Sequence, residues 1–331
     1  MGLKKKSKNS KKSTKKVAKK LKTKKNTLVK KEEAVQKHAI KAISDKIDLL
    51  VQSRVRSEVI ETKLNIMGST VYGNEAKRKI ACDMLERYTG HRIDEFAKQV
   101  ILTNFPYYVE RFKSILPDAK VTTGSAFTAA TSVSANVSII EFGVGSAVAA
   151  LIGELLGVIE PKATLFLGLC GSVHNSLNVG DFILPIAAIR GEGVSQHFLP
   201  PQVPALPTFK VQKFVSQILV ENGYEYRTGT VHTTDFRFWE FDKKFIDVLI
   251  SEKVLAVEME TASLFTSCFA GKVNIGALLL VSDCPLREGG IKTKESAREV
   301  FRKFTDVHID LGIKAMATIA DRGETVRHYQ W

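Results

Sequence analysis

Three observations predict an α/β fold, a three-layer α/β/α sandwich around a mixed, mostly parallel sheet with a short helical region before it. Apolar runs of strand length recur from residue 100 onward. Segments with helical spacing of apolar residues separate them, the alternation that builds parallel sheets with helices on both faces. Carboxylates follow two of the apolar runs, at Glu258, Glu260 and Asp283. Ligands gather at the carboxyl ends of strands in sheets of this class.

Residues 1–31 hold 15 lysines and no acidic residue. Such a run cannot bury enough apolar surface to offset its chain entropy, and disorder is expected. Two readings stay open: a polybasic arm making weak contact with a polyanion, or a solvated extension. The chain carries 49 basic and 35 acidic side chains, so taking away the 15 tail lysines leaves 34 against 35. The body is nearly neutral, and whole-chain basicity says nothing of its surface. Over 32–57, Ala39, Ile40, Ile43, Ile47 and Leu50 fall on one stripe, which predicts a helix. Residues 68–73 read as a loop, and 75–88 as a second helix stopped at Thr89-Gly90. Residues 32–97 form the expected helical region, and 98–331 the α/β domain.

Within that domain the first strand is 100–103, followed by a helix over 107–116. A strand over 138–142 enters Gly143-Val144-Gly145-Ser146, and a helix over 147–156 follows. Strands are predicted at 163–169, 181–189, 228–233 and 254–259. The last of these leads into a helix over 261–269; a buried strand at 275–281 and a long helix over 293–320 close the chain.

The composition narrows the classes. No secretory apolar core follows the basic start, and no apolar run approaches the ~20 residues of a membrane span. Cys82, Cys170, Cys268 and Cys284 are far apart, as in a cytoplasmic protein with reduced thiols. His174, His197 and His232 show no metal-ligand spacing, so neither a metal nor a cofactor is expected. No phosphate-loop lysine or nucleophile-elbow serine pattern is present.

The chemistry concentrates in two segments. In Val257-Glu258-Met259-Glu260-Thr261-Ala262 two carboxylates stand where an apolar strand passes into an apolar helix. A buried carboxylate must be paired or used, and it can accept from two adjacent hydroxyls such as a ribose diol. An acid favoured by the helix dipole is the plain alternative. In Val281-Ser282-Asp283-Cys284-Pro285 an aspartate follows a buried strand. It could donate a proton to a leaving base, or simply form the turn before Pro285. Gly143-Val144-Gly145 could bring its N–H groups close to an anion or sugar. A tight strand-to-helix turn accounts for it as well.

Taken together these segments resemble the purine nucleoside phosphorylase and nucleosidase superfamily. The Gly-x-Gly turn at 143–145, the Gly-x-Cys-Gly turn at 168–171, Gly180-Asp181, Glu-Met-Glu at 258–260 and Ser282-Asp283 come in that superfamily's order. Leu85-Glu86-Arg87-Tyr88-Thr89-Gly90, Thr103-Asn104-Phe105, Thr233-Thr234-Asp235 and Trp239-Glu240 resemble its AMP nucleosidases.

The resemblance implies a nucleoside phosphorylase-like catalytic domain and hydrolysis of AMP to adenine and ribose 5-phosphate. The alternative is a purine nucleoside phosphorylase or a methylthioadenosine/adenosylhomocysteine-type nucleosidase. It implies Asp283 as general acid at the purine N7 and Glu260 on the ribose hydroxyls. Met259, Glu258, Gly143, Val144 and Gly145 would border the sugar, and Arg237, Phe238 and Trp239 the base. Arg190 and His197 are the expected cations for a 5′-phosphate. Phosphorylases of the superfamily carry an arginine and a serine where this chain has Phe166 and Leu169, and a second arginine near Tyr108. Losing these anion ligands implies water as the attacking group. The resemblance also implies a homo-oligomer, a hexamer, with neighbouring subunits completing the site.

Overall fold

A computed structural model describes residues 74–322, together with Lys41. The expected tail, most of the helix over 32–57 and the loop over 68–73 lie outside them. The chain divides into two compact units, Met1–Asn74 and Glu75–Trp331. Leu85 and Phe96, placed by the sequence in the helical N-terminal region, are part of the second unit's core.

The second unit is α/β, with a mixed sheet of nine strands among the described residues. Helix α1 (Asn74–Thr89) leads to β1 (Gln99–Thr103) and then α2 (Pro106–Ile115), which has proline at its first position. Proline is suited there because its missing N–H is not needed. Strands β2 (Lys120–Thr123), β3 (Thr128–Ser132) and β4 (Val137–Glu141) pair antiparallel in sequence. Helix α3 (Ser146–Leu155), β5 (Ala163–Ser172) and β6 (Phe182–Gly191) follow. Next come α4 (Phe209–Glu221), β7 (Tyr226–Thr234) and α5 (Lys243–Glu252). Strand β8 (Ala256–Glu258), α6 (Thr261–Ala270), β9 (Ile275–Asp283) and α7 (Lys294–Arg322) complete the unit.

Strand β1 lies parallel between β4 and β5 and is buried throughout. Burial on both faces explains its uninterrupted apolar run. Alternate side chains feed two cores. Leu102, Ile140 and Phe166 pack with Ile152 of α3 and Phe265 of α6. Ile101, Ile139 and Leu165 pack with Phe112 of α2, Val215 of α4 and Ile309 of α7.

At the other end the sheet closes on itself. Strand β5 pairs parallel with β9 and antiparallel with β8, β9 pairs with β6, and β6–β7–β8 run parallel. The ring β5-β9-β6-β7-β8 brings the ends of β8 and β9 to neighbouring positions, Gly171 of β5 opposing Val257 on one side and Asp283 on the other.

Candidate active site

The carboxyl ends of β1, β5, β8 and β9 surround a cavity of about 250 Å³. Glu258, Met259, Glu260 and Asp283 line it together, with Val144 of the glycine turn and with Arg237 and Trp239.

Glu258 ends β8, and its register partner on β7 is Thr233. The Thr233 hydroxyl donates to Glu258 Oε1, and the backbone N–H groups of Glu260 and Thr261 donate to Oε2 at 2.8 and 2.7 Å. Thr233 Oγ1 also accepts from the N–H of Ala262 at 2.9 Å. These are first-turn donors of α6 that have no partner within their own helix. Glu258 is thus bound into the helix entry, with both oxygens already accepting. Expected among the substrate-binding groups, it sits on the wall as the support of Glu260.

Glu260 is 4% exposed and accepts from the Gly145 N–H at 2.6 Å. Burial and the adjacent Glu258 carboxylate push its pKa above the ordinary carboxylate range, while the Gly145 N–H and the Asn104 amide pull the other way. The glycine turn is built for this contact. Gly143 and Gly145 take φ of +83° and +113°, values that side chains disfavour. Ser146 Oγ fixes the far side of the turn by donating to the Met259 carbonyl at 2.7 Å.

Asp283 ends β9 and is 8% exposed. Its Oδ1 accepts from Ser282 Oγ at 2.6 Å and faces Lys292 Nζ at 3.4 Å. Cys170 also lines the cavity. Burial and the nearby Asp283 and Glu258 charges push its pKa well up, which keeps it a neutral thiol rather than a nucleophile.

Elsewhere on the wall, Trp239 is buried and lines the cavity, and Arg237 donates to Glu240 Oε1 at 2.7 Å. Phe238 is 67% exposed and lies under the Arg237 guanidinium instead of lining the cavity. Arg190 and His197 are not brought to the cavity. The Arg190 guanidinium donates to Ser195 Oγ at 2.9 Å and to the carbonyls of Leu199 and Val203 at 2.7 and 2.8 Å. It ties down the segment after β6, with Nε, both Nη1 donors and one Nη2 donor engaged there. His197 is exposed.

Asn104, Glu240 and Lys292, to which the sequence pattern gives no role, are brought to the wall by the fold. Leu169 also lines it, whereas Phe166 is buried in the core and Tyr108 is buried with its hydroxyl 2.8 Å from His308 Nδ1. None of these three can hold an anion.

Among the described residues no cluster of His, Cys, Asp or Glu is arranged to hold a metal ion. Among them, too, no helix is long and apolar enough to cross a membrane.

Comparison with known proteins gives these arrangements a context. A family model described as the phosphorylase superfamily matches residues 98–316. AMP nucleosidase of Escherichia coli (strain K12) is 28% identical over 284 residues, which cover 72% of this chain and 58% of that protein. The chain thus spans under two thirds of that relative. A guanosine phosphorylase of Halorubrum lacusprofundi is 26% identical over 171 residues, 52% of this chain and 70% of that one. The solved AMP nucleosidase of Bacteroides thetaiotaomicron is 39% identical with a TM-score of 0.66, covering 75% of this chain and 99% of that one. A Vibrio fischeri uridine phosphorylase shares the fold at 18% identity and a TM-score of 0.61, over 69% of this chain and 93% of that one.

Proposed function

The chain belongs to the phosphorylase superfamily, and from that membership we propose that it hydrolyses the N-glycosidic bond of AMP to adenine and ribose 5-phosphate. The observation that carries this reading is the joint placement of Glu260 and Asp283 on one cavity whose nearby wall is the apolar Leu169. Similarity to AMP nucleosidases supports AMP as the substrate.

In this reading Asp283 protonates the purine at N7 as the C1′–N9 bond breaks. A positioned general acid contributes about 10²–10⁴-fold. Positive charge then builds on the ribose ring. Glu260 holds the ribose hydroxyls, aimed by the Gly145 N–H. Met259 and Val144 border the sugar, and Trp239 and Arg237 the base. Water takes the position that phosphate takes in a phosphorylase, because Leu169, Phe166 and Tyr108 leave no cationic or hydroxyl cradle for an anionic nucleophile.

The 5′-phosphate needs cationic donors. Both cations on the cavity wall already face carboxylates, Arg237 with Glu240 and Lys292 with Asp283. We assign the remaining donors to a neighbouring copy in a homo-oligomer, a hexamer, acting in cytoplasmic AMP salvage. Residues 98–331 form the catalytic domain in this scheme, 32–97 a helical N-terminal region, and the lysine-rich 1–31 a weak polyanion contact.

The test is product analysis with AMP, adenosine and inosine, each with and without inorganic phosphate. The reading expects adenine and ribose 5-phosphate from AMP at a rate independent of phosphate. A phosphate-dependent phosphorylated sugar product would overturn it in favour of a phosphorylase.

A further inference from the structure

Glu240 stands on the cavity wall with a side chain only 4% exposed. One of its oxygens, Oε1, accepts from Arg237 at 2.7 Å. The other, Oε2, is buried and has no hydrogen-bond partner. A buried acceptor left without a partner costs free energy, and in a native protein such a group points to a missing donor. Neither the fold nor the proton transfer described above uses it. It stands in the short turn Trp239–Phe241 beside the buried Trp239, which the purine-nucleotide reading sets against the base.

We propose that Glu240 selects the purine by its 6-substituent, accepting a hydrogen bond from an exocyclic 6-amino group through Oε2. A carboxylate is an acceptor only. A 6-aminopurine presents two N–H donors there. A 6-oxopurine presents a carbonyl, which would face Oε2 lone pair to lone pair and leave both groups buried without a partner. Sites built around such a bond reject the analogue lacking it far more strongly than apolar pockets discriminate shape. Arg237 is the positioning residue: it holds Oε1 and leaves Oε2 as the oxygen without a partner. The inference rests on the purine-nucleotide reading and adds the group that reads the base.

The experiment compares AMP with IMP as substrates, and adenine with hypoxanthine as calorimetric ligands, for the full chain and Glu240→Gln. The amide matches the carboxylate in size but can donate, so it accommodates a 6-oxo group. The wild type is expected to favour AMP over IMP by at least ~100-fold in kcat/KM, and adenine over hypoxanthine in binding. Glu240→Gln is expected to narrow both ratios tenfold or more, with melting temperature showing that it folds. If Glu240→Gln does not fold, Arg237→Lys replaces it; that variant keeps the charge, loses the fixed fork of donors, and should also narrow the ratios. A folded Glu240→Gln that keeps both wild-type ratios overturns the proposal, as does a wild type that treats the two bases alike. If the wild type leaves AMP intact yet binds adenine selectively through Glu240, the AMP reading fails and the base selection stands.

Discussion

Replacing Asp283 with asparagine separates chemistry from folding. Asp283 is 8% exposed, and its Oδ1 accepts from Ser282 at 2.6 Å. Asparagine has the same shape and can keep that bond through its own oxygen. What it loses is the charge facing Lys292 at 3.4 Å, whose side chain is 28% exposed. A partly solvated pair of this kind contributes under about 1 kcal/mol, a shift of roughly 2–4 °C in melting temperature at this domain size. What it also loses is the ability to take up a proton and pass it to the leaving base, a step that in a positioned acid is worth ~10²–10⁴-fold. At ~1.4 kcal/mol per factor of ten that is about 3–5 kcal/mol of barrier. The account therefore predicts a large fall in kcat beside a small fall in melting temperature. The assay is chromatographic measurement of adenine from saturating AMP, with thermal unfolding followed by circular dichroism on the same preparation. A folded Asp283→Asn enzyme turning over within threefold of wild type would refute the acid role.

Glu260→Gln should lower kcat/KM about tenfold, since the amide turns an N–H toward ribose hydroxyls that the carboxyl group accepts from, and a lost hydrogen bond of this kind is worth roughly 1.5 kcal/mol; steady-state kinetics on AMP checks it. Its pKa is raised in the folded state, so the native protein holds a proton that the unfolded chain has released. Stability from this group is present below the unfolded carboxylate pKa and is lost as pH rises through the folded one. Glu260→Gln should therefore gain melting temperature relative to wild type as pH increases, and an unchanged difference across pH would contradict the buried-charge account.

His308 sits in the core between Tyr108 and the Leu278 carbonyl, and burial pushes its pKa down to about 4. Here the unfolded state binds the extra proton, so stability falls as pH drops from ~6.5 toward 4, by a few kcal/mol at most. Denaturant titrations of wild type and His308→Gln at several pH values should show a smaller acid loss in the variant. Gly153→Ala should destabilise by about 1–3 kcal/mol in thermal melts, despite alanine's better helix propensity, because its Cβ would lie 2.0 Å from Ser267 Oγ.

The parts of the fold that the sequence displays are those whose burial is uniform or periodic. Strands β1 and β9 are buried along their whole length, and that leaves the apolar runs 100–102 and 275–281 in the sequence. Strands β2 and β3 were not legible: Lys120–Thr123 is largely exposed, and Thr128–Ser132 carries only small and polar side chains. Helices α4 and α5 escaped too, since Phe209, Val220, Val248 and Ile250 are exposed apolar residues that blur the stripe.

Within the site, Glu260 and Asp283 were legible because each follows an apolar strand. Lys292 was not, because only the return of the loop after β9 brings it to Asp283. Glu240 was not, because its meaning depends on one paired and one unpaired oxygen. Arg190 looked free in sequence, yet its donors go to carbonyls of the segment that follows it. Local sequence shows that a cation is present and not what it is bonded to.

The central claim is that water, and not phosphate, attacks the ribosyl carbon of AMP. Turnover in ¹⁸O-labelled water with excess inorganic phosphate, followed by mass spectrometry of the sugar product, tests it most directly. The account predicts ribose 5-phosphate carrying the label, formed at the same rate with phosphate absent. An unlabelled sugar bearing a second phosphate, formed only when phosphate is present, would contradict it.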